Sequence, residues 1–206
     1  MYGKIEPPGS FNGDSRHISI TLELVDAILN RRSCRSYDQS RHVPPEVVRE
    51  IIRLGTWAPS GSNTQPWKVT VLSGKAKDGF ISAFRADLES KRAGMTEAAA
   101  NIAFWSCTSL EKSDVVLLVW DRERSETSPQ SVGAFIQTAI LAAHGMGLGT
   151  LWVAAVNRSE SLIAERYGHA DWKLIAGMGI GFPSEKMVGK SGPPRLPVED
   201  VAEFLV

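Results

Sequence analysis

The apolar residues of this chain recur with two periods, one typical of helices and one typical of strands. The clearest helical pattern follows Pro44-Pro45 and stops at Gly55, with one face made of Val47, Val48, Ile51 and Ile52. Proline in the first turn and glycine just past the last turn are typical helix boundaries. An earlier pattern predicts a helix that is capped by Thr21 and ends near Arg31, with apolar positions at Leu22, Val25, Ile28 and Leu29.

Two other segments are apolar on all sides, which predicts one buried strand and one buried helix. Val115 to Trp120 is an unbroken apolar run, as expected for a strand covered on both faces. Gly133 to His144 is apolar nearly all round, as expected for a central helix. The remaining segments predict helices over 79–92, 96–106 and 159–167, and strands over 67–72, 151–156 and 174–182. Helices and strands interleave, so the predicted class is mixed α and β.

The composition is that of one ordinary globular domain. Of the 206 residues 43% are apolar and 22% charged, and this length suffices for one sizeable core. The 23 basic and 23 acidic residues cancel, so no global field favours nucleic acid or an anionic membrane surface. Residues 1–16 are rich in Gly, Pro and Ser and are expected to form a flexible extension, and residues 17–206 a single domain.

The sequence gives no support to secretion, membrane insertion or metal binding. The N-terminus lacks the apolar core of a signal peptide, and no apolar run approaches the ~20 residues of a membrane span. Cys34 and Cys107 show no metal-ligand spacing, and the four histidines are scattered. We therefore expect a cytoplasmic protein with free thiols, no metal, and neither nucleic acid nor membrane as a partner.

Two polar clusters carry the candidate chemistry. Arg31 to Tyr37 holds three arginines and two serines, whose donors match the acceptors of a phosphate dianion. The alternative is that these cations only complement the dipole of the preceding helix. The loop from Ala58 to Pro66 is rich in short amides and hydroxyls, which suit the edge of a flat heteroaromatic ring. The alternative is an ordinary connection built from turn residues. Together the clusters suggest a phosphorylated aromatic cofactor.

Five motifs resemble those of the nitroreductase family of FMN-dependent oxidoreductases, in the same order, from about residue 20 to 201. They are Arg31-Arg-Ser-x-Arg-x-Tyr37, Ala58-Pro-Ser-Gly-Ser-Asn-Thr-Gln-Pro-Trp67, Gln137-x-x-x-Leu-Ala-Ala143 followed by Gly147-Leu-Gly-Thr150, Gly179-Ile-Gly-Phe-Pro183, and Arg195-Leu-Pro-Val-Glu-Asp-Val201. No single motif is decisive, but five in the right order are a strong indication.

The resemblance implies a three-layer α/β/α fold of the α+β class, with a central, mostly antiparallel sheet and a domain-swapped C-terminal tail in a homodimer. It implies two FMN sites at the dimer interface. One subunit would supply Arg31, Arg32, Ser33 and Arg35 around the phosphate, and the other would supply Pro59, Ser60, Ser62, Asn63 and Gln65 along the flavin ring. Arg195 with Lys190 would complete the phosphate site, Gln137 would contact the cofactor, and a backbone N–H at Val153 or Ala154 would bond flavin N5.

The implied activity is ping-pong transfer of a hydride from NAD(P)H, through the flavin, to a nitroaromatic, a quinone or a similar small-molecule acceptor. Arg35 is the candidate for stabilising the negative charge that reduction places on flavin N1 and O2. Two alternatives remain open. One is a flavoenzyme of the same fold with other chemistry, such as a reductive dehalogenase or a substrate oxidase. The other is a non-catalytic flavin-binding protein.

Overall fold

Six α-helices and four strands make up the part of the chain that the computed structural model describes, which is residues 24–187, 189 and 192–205. In chain order they are α1 (Leu24–Asn30), α2 (Pro45–Gly55), β1 (Trp67–Ser73), α3 (Gly74–Lys91), α4 (Glu97–Glu111), β2 (Val115–Asp121), α5 (Ser128–Gly145), β3 (Gly149–Val153), α6 (Glu160–Tyr167) and β4 (Lys173–Gly181). Short 3-10 turns occupy Gly61–Asn63, Arg92–Gly94, Ala155–Ser159, Glu185–Met187 and Val198–Asp200. The expected extension over residues 1–16 and the Thr21 cap lie outside the described residues.

The four strands form one antiparallel sheet in the order β1-β2-β4-β3. All seven residues of β2 are buried, as its unbroken apolar run predicts. Alternate residues of β2 face opposite sides of the sheet. Val115, Leu117 and Val119 pack with α2 and α5, whereas Val116, Leu118 and Trp120 pack with α3, α4 and α6. Two helical layers therefore cover the sheet, which confirms the α+β class and the three-layer arrangement.

Several element boundaries differ from the prediction. The strand predicted over 151–156 begins at Gly149 and ends at Val153, where the pairing with β4 stops and a 3-10 turn takes over the apolar residues Ala155 and Val156. The central helix extends beyond 133–144 in both directions, because Pro129 in its first turn favours a helix start there. The helix predicted over 79–92 begins at Gly74, whose positive φ lets the chain turn directly out of β1.

The outer edge of β3 positions the arginine cluster. The Cys34 N–H donates to the Thr150 carbonyl at 2.8 Å, and Ser33 pairs with Thr150 in a parallel bridge. This approach requires glycine at position 149, because a Cβ there would overlap the Cys34 side chain. The residues after α1 are therefore held along the sheet edge rather than in a free loop.

The first helix does not bury the apolar face that its sequence pattern suggests. In the single chain only Ala27 of α1 is buried, and Leu24, Val25, Ile28 and Leu29 are each more than half exposed. Among the described residues no helix is both long and apolar enough to cross a membrane, and no group of His, Cys, Asp or Glu side chains is arranged to hold a metal ion.

Candidate functional site

A cavity of about 470 Å³ lies where the chain leaves α1, and four arginines line it. Arg31, Arg32 and Arg35 come from the segment along β3, and Arg195 comes from the C-terminal tail more than 150 residues later. The remaining lining residues are Ser33, Ser36, Met187, Gly192 and Pro193. The described part of the lining thus contains no carboxylate to neutralise the guanidinium groups. The fold therefore gathers into one pocket the cations that the first and last motifs contribute.

The charged form of Arg31 is disfavoured in this cavity. Burial, followed by repulsion from Arg195 and Arg32, lowers the pKa of Arg31. Burial, followed by repulsion from Arg31 and Arg32, also lowers the pKa of His144, in the last turn of α5. Neighbouring positive charge thus adds to burial in penalising the protonated form of both groups. A bound dianion would reverse this penalty.

Two of the arginines retain unused donors, which fits the site to a polyanionic ligand. The Nε atoms of Arg32 and Arg35 are buried and have no hydrogen-bond partner in the described chain. Arg32 also donates from Nη1 to the carbonyls of Leu29 at 2.6 Å and Arg31 at 2.8 Å, so it satisfies the end of α1 as well. Gly192 packs so closely on the Arg32 guanidinium that a Cβ would overlap it. Arg32 therefore serves the end of α1, and it lines the cavity together with Arg31 and Arg195.

Arg35 has a partner that the sequence did not reveal. Its guanidinium carbon lies 4.5 Å from the centre of the Trp105 ring on α4, a cation–π contact, and its Nη1 donates to the Ser33 carbonyl at 3.3 Å. The Trp105 side chain is 55% exposed. The sequence does not show which of the six tryptophans contacts a site, because an aromatic residue in a helix gives the same pattern whether it packs in the core or against a site.

The polar loop between α2 and β1 has an unusual backbone. Ser62, Asn63 and Gln65 all adopt positive φ, at 49°, 57° and 48°. For residues with a Cβ this left-handed conformation costs free energy and persists where the surroundings enforce it. Residues 61–65 are exposed to solvent. An ordinary connection does not require three such residues, which weakens the alternative interpretation of this loop.

The loop and the cavity do not meet within one chain. Within the described residues, no member of the 59–65 loop lines the arginine cavity. Pro59 is exposed and Ser60 half-buried at the start of the loop, and Gln137 is exposed on α5. Val153 is buried at the end of β3, and Ala154 is exposed directly after it. Lys190 lies outside the described residues.

Comparison with known proteins identifies relatives over nearly the whole described chain. Residues 28–182 match the model of the Nitroreductase family. A chloronitrobenzene nitroreductase from Comamonas testosteroni is 26% identical, over 88% of this chain and 96% of that relative. A 5,6-dimethylbenzimidazole synthase from Rhodospirillum rubrum is 27% identical, over 79% and 83% of the two chains. The crystal structure of an FMN- and NADPH-dependent nitroreductase from Sphigopyxis sp. strain HMH superposes with a TM-score of 0.78 at 20% identity, covering 90% of this chain and all of that one.

Proposed function

The chain belongs to the nitroreductase family, and on that premise we propose that it is an FMN-dependent oxidoreductase that uses NAD(P)H to reduce a small electron-poor acceptor. The observation that carries the proposal is the cavity in which Arg31, Arg32, Arg35 and Arg195 converge without a carboxylate among the described lining residues. The unpaired Nε donors of Arg32 and Arg35 add to the four charges, and together they suit a phosphate dianion, which is the charged end of FMN. Relatives named for FMN, for NADPH and for nitroaromatic acceptors support the same assignment.

The residues of this chain divide into a phosphate end and a ring end. When bound, FMN supplies the redox chemistry, because its ring can take up a hydride and pass on electrons. Arg31, Arg32, Ser33 and Arg195 would hold the phosphate, and the amides of Asn63 and Gln65 would orient the ring. Arg35 is the candidate for stabilising the negative charge that the ring would gain on reduction. We infer that the nicotinamide and the acceptor occupy the same slot in turn, which gives ping-pong kinetics.

The proposal includes a homodimer, because the two ends of the site lie apart in the single chain. Two apolar surfaces support it. The exposed face of α1 carries Leu24, Val25, Ile28 and Leu29, and the C-terminal tail exposes five apolar side chains, Leu196, Val198, Val201, Phe204 and Leu205. Leaving these nine side chains in water costs much free energy, since burying each one contributes roughly 1.5–3 kcal/mol. A second copy of the chain is the occupant that would complete the flavin site at the same time.

A groove of about 1030 Å³ offers a place for the partner's tail. It lies beside the last residues of β1, where Val71 is exposed, and against Val48 and Ile52 of α2. An extended segment can add to a free strand edge through backbone hydrogen bonds. We therefore propose that residues 196–205 of one subunit lie in this groove of the other.

A specific observation favours one alternative function, a different reaction on the same fold. The relative named 5,6-dimethylbenzimidazole synthase is as similar as the nitroreductases, so the fold alone does not select the reaction. A flavoenzyme of this fold with other chemistry would keep the cavity and not reduce a small electron-poor acceptor with NAD(P)H. A non-catalytic flavin-binding protein would keep the cavity and have no turnover. The distinction rests on whether reduced protein passes electrons to an added acceptor.

The test is anaerobic reduction of the purified yellow protein by NADH and by NADPH, followed by reoxidation with chloronitrobenzene, 4-nitrobenzoate and a quinone. Bleaching by a nicotinamide and recovery of colour with an acceptor support the proposal. Bleaching without recovery by any acceptor, or no bleaching at all, favours the alternatives. A protein that binds no FMN contradicts the assignment of the cavity.

A further inference from the structure

The turn that follows β2 is built around one buried carboxylate. Asp121, fully buried at the end of β2, accepts a hydrogen bond from the Ser128 hydroxyl at 2.5 Å. Its other oxygen accepts from the backbone N–H groups of Glu123 at 3.0 Å and Arg124 at 3.2 Å. Ser128 is itself 2% exposed and belongs to the first turn of α5. The carboxylate thus makes two hydrogen bonds within the turn and one to the first residue of the central helix, and Arg124 in the turn adopts a positive φ of 56°.

This turn makes hydrogen bonds to the polar loop between α2 and β1. The Arg122 N–H donates to the Pro66 carbonyl at 2.9 Å, and Arg122 Nη2 donates to the Gln65 carbonyl at 3.2 Å. The Thr64 hydroxyl donates to the Glu123 carboxylate at 3.2 Å. On the other side of the loop, the Gln65 N–H donates back to the Ser60 hydroxyl at 3.1 Å. Three consecutive residues of the loop are therefore fixed by two consecutive residues of the turn.

We propose that the Asp121–Ser128 turn is the device that holds the Ser60–Gln65 loop in its left-handed conformation, with Ser128 and Arg122 as positioning residues for the flavin ring. The inference rests on the proposed function, because it assumes that the loop meets the ring. Left-handed φ values at Ser62, Asn63 and Gln65 would relax to ordinary values if nothing enforced them. The loop is exposed. Among the described residues, the hydrogen bonds that reach it from outside come from the turn, at Thr64, Gln65 and Pro66, and from Ser131, whose hydroxyl accepts from the Gly61 N–H at 3.4 Å.

The experiment compares Ser128→Ala with Ser113→Ala. Both serines are buried and both donate a short hydrogen bond, at 2.5 Å to Asp121 and at 2.6 Å to the Leu110 carbonyl. Ser113 precedes β2 and Ser128 follows it, so Ser113→Ala reproduces the loss of a buried hydroxyl away from the loop. The measurements are the dissociation constants for FMN and riboflavin and the midpoint potential of the bound FMN.

We expect Ser128→Ala to weaken FMN and riboflavin by the same factor, about tenfold, because the defect lies at the ring and not at the phosphate. The midpoint potential of the bound FMN should also move, which loss of stability alone would not cause. Ser113→Ala should leave both dissociation constants and the potential as in the wild type. An equal change in the two variants, or an effect on FMN that riboflavin does not share, would overturn the proposal.

Arg122→Ala is the second variant, for the case that Ser128→Ala does not fold. Arg122 is exposed, so its replacement leaves the core intact and removes one side-chain bond to the Gln65 carbonyl. It should weaken FMN and riboflavin by about twofold to fivefold, and Arg122→Lys should restore most of the loss. If the wild type binds FMN and Arg122→Ala binds riboflavin as tightly as the wild type does, the positioning role is refuted and the proposed function is not. A wild type that binds neither flavin refutes the proposed function instead.

Discussion

Replacing Arg31 by Met should separate a phosphate ligand from a helix-end cation. Methionine keeps an aliphatic stem for packing and removes the charge. If Arg31 makes one charge-assisted bond to the phosphate, its loss costs about 1.5–3 kcal/mol of binding free energy. This corresponds to FMN affinity that is about tenfold to a hundredfold weaker. Riboflavin has no phosphate, so its affinity should change by less than about twofold on the same scale.

The stability of the flavin-free protein should not fall together with the FMN affinity when Arg31 is replaced by Met. The pKa of Arg31 is lowered in the folded protein, so at neutral pH its charge disfavours folding. The dipole of α1 opposes this with roughly 0.3–1 kcal/mol in favour of the cation. We therefore expect the melting temperature of the flavin-free variant to stay constant or rise slightly, while its FMN affinity falls.

The assay is titration of flavin-free protein with each flavin, followed by flavin fluorescence, and the control is Arg158→Met. Arg158 is exposed in the turn after β3 and does not line the cavity. The control should bind both flavins as the wild type does. Equal weakening of FMN and riboflavin in Arg31→Met, or a lower melting temperature of the flavin-free form, would refute the reasoning and leave Arg31 as a helix-end cation.

Three further predictions address the ring, the dimer and a buried thiol. Asn63→Ala should weaken FMN and riboflavin alike by about fivefold to a hundredfold, since it leaves polar groups of the ring unpaired at ~1–3 kcal/mol; unchanged titrations with both flavins would make the loop a plain connection. Truncation after Leu196 should give monomers with weak FMN binding by light scattering and titration; a dimer that persists would place the interface elsewhere. Burial raises the pKa of Cys107 from 9.0 to about 11, so its thiol keeps its proton in the folded state while the unfolded thiol ionises. This thiol should therefore lower the free energy of unfolding by about 2 kcal/mol as the pH rises from 9 to 11. Cys107→Ala should show a smaller fall than the wild type in urea denaturation at the two pH values, and an identical fall would contradict the assignment.

The sequence predicted best where one local pattern has one structural solution. The apolar run from Val115 to Trp120 fits only a strand covered on both faces, and it is the central strand that both cores share. The motifs at Arg31 and Arg195 predicted a common site across more than 150 residues, and the two side chains do line one cavity. What they bind stays a prediction, because a cavity of cations fits more than one anion.

The prediction from sequence failed where contacts between distant parts of the chain decide the structure. The 151–156 segment is apolar throughout, but it leaves the sheet at Val153, because β4 pairs with it only as far as Gly177. The contact of Arg35 with Trp105 joins residues 70 positions apart, and no spacing rule indicates it. The apolar face of α1 looked like that of α2, yet α2 packs in the core and α1 remains exposed. A hydrophobic pattern identifies a face that needs a partner and does not say which chain supplies it.

The two ends of the candidate site share one energetic property, which argues for a ligand more strongly than either end alone. At one end, the pKa of Arg31 is lowered by burial and then by the neighbouring charges of Arg195 and Arg32. At the other, three left-handed residues report a backbone held away from its preferred conformations. Both features disfavour the flavin-free fold, and neither contributes to the buried cores of the sheet. A ligand with a dianionic group and a polar ring edge would offset both costs at once. Replacing Arg31 should therefore change flavin affinity and flavin-free stability in opposite directions. Ser62→Gly should relax the loop backbone and weaken binding of the flavin ring.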